Sequence, residues 1–429
     1  MSALRLMIVT LWLGVGLGTW SWLGPAWLAA MRPHNNQVVD FYQDWGSAHN
    51  YWSGLPIYTP HSISIPRYLG LPSNPIPCIE YNIHPPTSVL LALPLGILTY
   101  PDAALVWNII SIGAVLASVV VVAMTLPNSK ALIVPGVVLL PLCHPLYGNF
   151  YQGQLNLFLV LLVTGMWALE RAGRYRLAGL VLGLAATIKL FPIYLAIYYI
   201  SQGRARLLWA ALVSVLTLTS ITAFLLGLDT YYDYMAIVLP WNAEFRMLGY
   251  NLSIAGLWHK LFYPVPGEQI IPLWSSLAIA RWGTLCSDLI ITAIVVVAAR
   301  RACTPAQCDF AFAATATGML LVSPVTWDTS LPILLVPFTL IALSPVITRS
   351  LWLSAALLTI TMVNFVPHHI LIELMSVNCS SSGYSSMFML WVPSLKFYML
   401  LGIFLLGLTA YRLEASKAQL KLPGGGTTT

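Results

Sequence analysis

The stretch RYRLAGLVLGLAATIKLFPIYLAIYYISQGRAR, from Arg174 to Arg206, decides how the chain is built. Its interior, 177–200, has the length and apolar character of one membrane helix. Yet both flanks are basic, with Arg174 and Arg176 before it and Arg204 and Arg206 after it. Basic residues stay on the cytoplasmic side of a membrane, so a segment with both ends on one side must go in and come back. Lys189 stands in the middle, with Pro192 just beyond. Each half is about 11–12 residues, or ~17 Å at 1.5 Å per residue, which is half a bilayer. The spacing predicts a broken helical hairpin with a lysine at its tip. Non-helical backbone at that depth survives only against protein or a watery cavity, so the tip should line a cavity.

The rest of the chain fits the same solvent. Of 429 residues, 58% are hydrophobic and 8% charged, against about 25% charged in a soluble domain. Too little charge remains to cover a water-facing surface. Leu6–Met31, Ala131–Leu169, Leu207–Leu228, Phe310–Trp327 and Leu351–Ile372 contain no Asp, Glu, Lys or Arg. A spanning helix needs about 20 such residues. The first run is too long for the apolar core of a signal peptide, about 7–15 residues, and is expected to be a retained helix. The fold class expected is an all-α polytopic membrane protein of about a dozen hydrophobic segments.

Orientation follows from charge. Arg5, Lys130, Arg171, Arg174, Arg176, Arg204, Arg206, Arg300, Arg301, Arg349, Arg412, Lys417 and Lys421 fall on one side, which is therefore cytoplasmic. Arg32, Arg67, Arg246 and Lys260 fall in loops on the other, and Lys189, Arg281 and Lys396 lie in or beside apolar segments. The net charge of +6 thus reflects membrane topology and gives no sign of nucleic acid. Helix one leads to a long external loop, 32–85. Segments near 86–100, 102–126, 130–147 and 155–170 follow. Parity then requires one short or re-entrant segment, and 86–100 is the shortest. After the hairpin come 207–227, a second external loop at 228–275, and segments near 276–299, 309–325, 330–346, 350–367 and 389–412. Residues 1–413 read as one transmembrane domain and 414–429 as a disordered cytoplasmic tail.

Several side chains could carry chemistry. Asp40 and Asp44 are one helical turn apart, so a short interfacial helix puts both carboxylates on one face. Either can be a solvated capping residue, and either can serve as a general base. Lys189 is an intramembrane cation, and such groups are costly and usually functional; its natural partner is an anion such as a lipid phosphate. Gln154 and Asn156, in Gly153-Gln154-Leu155-Asn156, offer amides to phosphate or sugar hydroxyls, or else to helix capping. Tyr42, Trp45, Tyr51, Trp52, Tyr58 and Tyr81 suit sugar stacking and equally an interfacial belt. His84, His368 and His369 are externally placed. Asp288 and Arg281, two turns apart, read as a buried pair. The six cysteines include no CxxC, and a Cys78–Cys379 bridge is possible without being demanded by spacing. Neither HExxH nor GxxxxGK[ST] occurs, so no metal, nucleotide or other cofactor is expected. A transporter or flippase is the rival class, since it too uses broken helices and a midplane cation; no repeat symmetry between halves supports it.

Asp40-Phe41 followed by Gly54-Leu55-Pro56-Ile57-Tyr58 resembles the DF…G-x-P-x-Y signature of glycosyltransferase family 87. Pro85-Pro86, Gly153-Gln154-x-Asn156, Gly179…Gly183…Lys189-x-x-Pro192, Asn251-Leu252-Ser253 and Ser323-Pro324-x-x-Trp327 extend the likeness in order, over about 40–328. The resemblance implies a GT-C-type bundle of about 10–13 transmembrane or re-entrant helices. It implies a polyprenyl-phosphate sugar donor, mannose by analogy with the mycobacterial members, and an inverting transfer to a lipid or glycan acceptor at an external site in a bacterial plasma membrane. Asp40 maps to the general base. Lys189 and Gln154 are then expected at the donor phosphate. Asp44, Tyr58, His84, Asn156, Asn251 and Trp327 are expected at the sugar or acceptor. Two positions depart from the family: His84 stands where Tyr is frequent before the prolines, and Thr329 where His is frequent after the tryptophan.

Overall fold

The computed structural model describes residues 3–34, 37–71, 80–264, 270–367, 384–385, 390–391 and 394–420. Helix α1 (Ala3–Ala30) leads to α2 (Phe41–Trp52) and α3 (His61–Leu69), both inside the first loop, and then α4 (Pro86–Ala92), extended by a 3-10 turn to Ile97. Next come α5 (Tyr100–Thr125), α6 (Ile133–Leu139), α7 (His144–Gln152) and α8 (Asn156–Arg171). The hairpin arms are α9 (Tyr175–Ile188) and α10 (Ala196–Ser201), joined through a 3-10 turn at Phe191–Leu195, and α11 (Ala205–Leu226) follows. The second loop holds α12 (Asp229–Asp233), α13 (Leu239–Asn242) and α14 (Ile254–Phe262). Then come α15 (Leu277–Arg301), α16 (Pro305–Val322), α17 (Leu335–Leu343), α18 (Pro345–Thr348), α19 (Leu351–Val363) and α20 (Leu395–Leu420). The sheet among the described residues is one parallel pairing of Ile270–Ile271 with Tyr384–Ser385.

The chain is an all-α polytopic membrane protein. Among the described residues α5, α11, α15 and the Leu395–Ser416 part of α20 are long and apolar enough to cross a bilayer. Asn128–Leu142 and His144–Gln152 make a fifth span if counted together, bent by 60°. The bend falls at Cys143 (φ −74°, ψ 88°), between Pro141 and Pro145, which withhold backbone donors and disfavour helix in the residue before them. Among the shorter apolar helices is Pro86–Ile97, the segment expected to be short. One boundary differs from expectation. α20 runs past Glu414 to Leu420, so the first part of the expected disordered tail is helical. The first loop is built around α2 and α3. His368, His369, Cys78 and Cys379 lie outside the described residues.

The hairpin forms as its flanking charges dictate. α9 stops at Lys189, whose backbone is extended (φ −139°, ψ 140°). The two ends meet again at Arg204, whose guanidinium lies 4.7 Å from the Tyr175 ring centroid and 3.8 Å from Glu170 Oε1. Helix α8 serves as a ruler. Its last turn carries Glu170, beside Arg204, while its first residue, Asn156, accepts from Lys189 Nζ at 2.9 Å. Those ends are about 21 Å apart at 1.5 Å per residue. The lysine tip and the arginine end are therefore separated by much of a bilayer.

α9 lies against α11 through glycines, the small residues that let membrane helices approach closely. A Cβ at Gly183 would sit 2.6 Å from Ala211 O and 2.5 Å from Ser214 Cβ, whereas one at Gly165 would meet nothing within 4 Å. Gly183→Val is expected to cost about 1–3 kcal/mol through overpacking, read as a lower thermal midpoint in detergent, with Gly165→Ala as the tolerated control. Equal midpoints for the two variants would contradict this packing.

The aromatics of α2 are corrected from belt or sugar platform to core. Phe41, Tyr42 and Trp45 are buried, with ring centroids 6.3, 5.6 and 5.3 Å from that of Tyr100. Tyr58 is also buried, while Trp52 is exposed. This core fixes α2 on α5, and with it Asp40 and Asp44.

Candidate active site

Asp40 sits half-buried at the N-terminus of α2. Gly153 brings its partner to it. That residue adopts a left-handed conformation (φ +64°), and an added Cβ would lie 2.6 Å from Phe41 Cβ; only glycine closes the α7–α8 turn this tightly on α2. The next residue, Gln154, donates from Nε2 to Asp40 Oδ2. Gln154 Oε1 accepts from Asn156 Nδ2 at 3.5 Å, and Asn156 Oδ1 accepts from Lys189 Nζ at 2.9 Å. The carboxylate of the first loop and the cation at the hairpin tip are thus joined through two amides. Burial pushes the Asp40 carboxyl above the usual carboxylate value, opposed by the Gln154 hydrogen bond and the nearby His84 and Lys189, and reinforced by Asp44.

Asp44 belongs to a second cluster. Its oxygens lie 3.0 and 3.1 Å from His84 Nδ1, and Oδ1 also accepts from Asn82 Nδ2 and Ser88 Oγ, each at 3.4 Å. His84, Lys189, Arg246, Trp327 and Ser330 line one cavity of about 200 Å³. The hairpin tip does line a cavity, as the broken helix requires.

Other expected site residues also make contacts within the chain. Tyr58 donates to His84 O at 2.8 Å and so braces that residue from behind. Gln154 bonds Asp40 through Nε2 and Asn156 through Oε1. Asn251 donates to Pro324 O at 2.9 Å and accepts from Ser253 N and Thr326 N at 3.0 and 2.9 Å. It ties the second loop to the Ser323–Trp327 turn, so two separate sequence motifs form one structural unit. Trp327 faces the cavity with Tyr250 stacked on it at 5.0 Å. Thr329, the departing position, accepts from Asn156 Nδ2 through O at 3.0 Å and Oγ1 at 3.2 Å.

The sequence reading missed a third cluster. Lys396, fully buried, donates to Asp328 Oδ1 at 2.6 Å, and His144 Nδ1 lies 3.0 Å from Asp328 Oδ2. The expected Arg281–Asp288 pair does not form among the described ion pairs: Arg281 is exposed, and Asp288 Oδ1 is buried without a hydrogen-bond partner. The cysteines Cys143, Cys286, Cys303 and Cys308 are free thiols.

The sequence profile of glycosyltransferase family 87 matches residues 82–324, more than half of the chain. The chain belongs to glycosyltransferase family 87. Family membership makes it an enzyme, and decides against the transporter that a midplane cation alone would equally suggest. The chain is 26% identical over 346 residues to the polyprenol-phosphate-mannose-dependent alpha-(1-2)-phosphatidylinositol mannoside mannosyltransferase of Mycobacterium tuberculosis, covering 76% of this chain and 73% of that protein. It is 34% identical over 131 residues to the corresponding pentamannoside mannosyltransferase of Mycolicibacterium smegmatis, 30% of either chain. No solved structure matches. The family 87 match starts after the Asp40-Phe41 and Gly54–Tyr58 motifs, and contains His84, Gln154, Asn156, Lys189 and Asn251.

Proposed function

We propose that this glycosyltransferase moves a hexose, mannose, from a polyprenyl-phosphate donor to a lipid or glycan acceptor at the non-cytoplasmic face of a bacterial plasma membrane, with inversion at the anomeric carbon. The observation that carries the reading is the Asp40–Gln154–Asn156–Lys189 chain, which links the proposed general base to a cation through two amides. The mannose donor is supported by the activities of both relatives. The face is supported by the separation of the lysine tip from the arginine end together with the positive-inside rule.

In this mechanism the donor enters from the lipid. Its phosphate meets Lys189, with Arg246 on the same cavity wall. The acceptor oxygen attacks the anomeric carbon, its proton passes to Asp40, and the carbon–oxygen bond to phosphate breaks with its electron pair on the phosphate. The leaving group departs without a protonated acid, because fixed cations stabilise the charge it gains. His84 and Trp327 line the cavity that receives the donor, with Asp44 and Asn156 immediately behind.

Purified protein incubated with labelled polyprenyl-phosphate-mannose and a lipid extract is expected to yield a new labelled glycolipid. No product with any polyprenyl-phosphate hexose rejects the donor class. Lys189→Met is expected to raise the apparent donor KM about 10- to 100-fold, the effect of losing a hydrogen bond to a charged group. An unchanged KM would remove Lys189 from the phosphate site.

A further inference from the structure

Asn149, buried on α7, reaches both of the amides that link Asp40 to Lys189. Its backbone oxygen accepts from Gly153 N and from Gln154 N, the latter at 3.0 Å. Its side chain reaches the other amide in one step. Nδ2 donates to Thr329 O at 2.7 Å, and Thr329 takes Asn156 Nδ2 through O at 3.0 Å and Oγ1 at 3.2 Å. The second Nδ2 hydrogen goes to Pro145 O, also at 2.7 Å. Asn149 Oδ1 is buried with no hydrogen-bond partner among the described residues. Reversing this amide would turn its oxygen onto two carbonyl oxygens, so what it donates to fixes its orientation. A buried acceptor without a partner is a cost, and a leucine of nearly the same shape would not carry it. Local costs of this kind are kept chiefly where function requires the residue.

We propose that Asn149 is a positioning residue for sugar transfer: it holds Thr329 O against Asn156 Nδ2, which keeps Asn156 Oδ1 turned to Lys189 and Nδ2 turned to Gln154, and so keeps Gln154 bonded to Asp40. This rests on Asp40 as the base, as proposed above. The chain of amides needs an anchor that the reaction does not engage. In the proposed mechanism Lys189 Nζ serves both Asn156 and the donor phosphate, so the contact on the oxygen side of Asn156 loosens when the donor is bound. An amide without another hold could then turn over and present its oxygen to Gln154 Oε1 in place of an N–H. Thr329 opposes this, because reversal would also set Asn156 Oδ1 against Thr329 O. Thr329 is itself held from α7 at two points. Asn149 donates to its carbonyl, and its methyl carbon lies 3.3 Å from where a Cβ at Gly148 would stand.

The test is a double-mutant cycle on kcat, with labelled polyprenyl-phosphate-mannose and acceptor lipid both saturating. Asn149→Leu leaves the backbone contacts to Gly153 and Gln154 in place and removes the one to Thr329. It is expected to lower kcat about tenfold in the otherwise wild-type chain, the effect of a misplaced reacting group. In the Asp40→Asn chain no base is left to position, and the same substitution is expected to change the residual rate less than about twofold. A residue that merely supports the fold would lower both rates by one factor. Equal losses in the two backgrounds, or an unchanged kcat in the first, overturn the proposal. Should Asn149→Leu fail to fold, Thr329→Val carries the same cycle: it keeps the methyl group and the carbonyl and loses Oγ1. It is expected to lower kcat about threefold with Asp40 present and not without it, and equal losses there overturn the proposal as well. Wild-type turnover by Asp40→Asn alone instead overturns the base reading beneath it.

Discussion

Asp40→Asn lowers the rate of sugar transfer by about 10²–10⁴-fold, the usual worth of a positioned general base, while donor binding persists. The substitution keeps the shape of the side chain and an oxygen that can accept from Gln154 Nε2. The backbone bond from Asp40 N to Gln152 Oε1, 3.2 Å long, does not involve the side chain. What is lost is the ability to take a proton. Because burial holds the Asp40 carboxyl above the ordinary carboxylate value, the deprotonated, active form is lost on acidification at a higher pH than for a free aspartate. Wild-type kcat should accordingly rise with pH through that raised pKa, and the residual rate of the Asn variant should lack this limb. Initial rates with labelled donor, beside an independent donor-binding titration, decide the matter. Wild-type turnover by the Asn variant would take Asp40 out of the chemistry.

Lys396→Met destabilises the fold by about 3–5 kcal/mol, the cost of leaving one partner of a buried ion pair alone. The ammonium is fully buried and bonds Asp328 Oδ1 at 2.6 Å. Without it the Asp328 carboxylate retains His144 at 3.0 Å in a site with little water. Replacing Asp328 by Asn in the same chain removes the stranded charge, so the double variant should melt above the single one. The pair also has a functional reach, since Asp328 begins the 3-10 helix Asp328–Leu334 that carries Thr329 to Asn156. Activity should fall before the fold is lost. A Lys396→Met protein with the wild-type thermal midpoint would show that this pair contributes nothing to stability.

The hairpin was legible because its evidence is local: two pairs of arginines at a known separation, one lysine and one proline. The long spans were legible for the same reason: α5, α11 and α15 end within a few residues of the segments expected at 102–126, 207–227 and 276–299. Asp40, Lys189, Gln154 and Asn156 could be singled out individually, each by residue type and place. Their connection could not, because residues 40, 154, 156 and 189 are far apart in the chain and meet only when Gly153 closes the α7–α8 turn on Phe41. The same distance hid the pairing of Asp44 with His84 and the meeting of His144, Asp328 and Lys396. Asn251 and Tyr58 show that a conspicuous polar group in a motif can also hold backbone in place, a part that residue type alone does not reveal. The aromatic first loop was misread because a run of Tyr and Trp looks alike whether it faces lipid headgroups or packs on another helix.

The link between Asp40 and Lys189 has a sense of direction. Each amide points its N–H groups toward the carboxylate and its carbonyl toward the ammonium. Turning either one round would set like poles together at both of its ends. The two charges therefore dictate how both dipoles lie, and anything that draws the ammonium aside slackens the grip on the carboxylate at the far end. On the proposed mechanism, an anion arriving at the lysine would be felt at the aspartate through these dipoles, and the donor would take its place before the acceptor is activated.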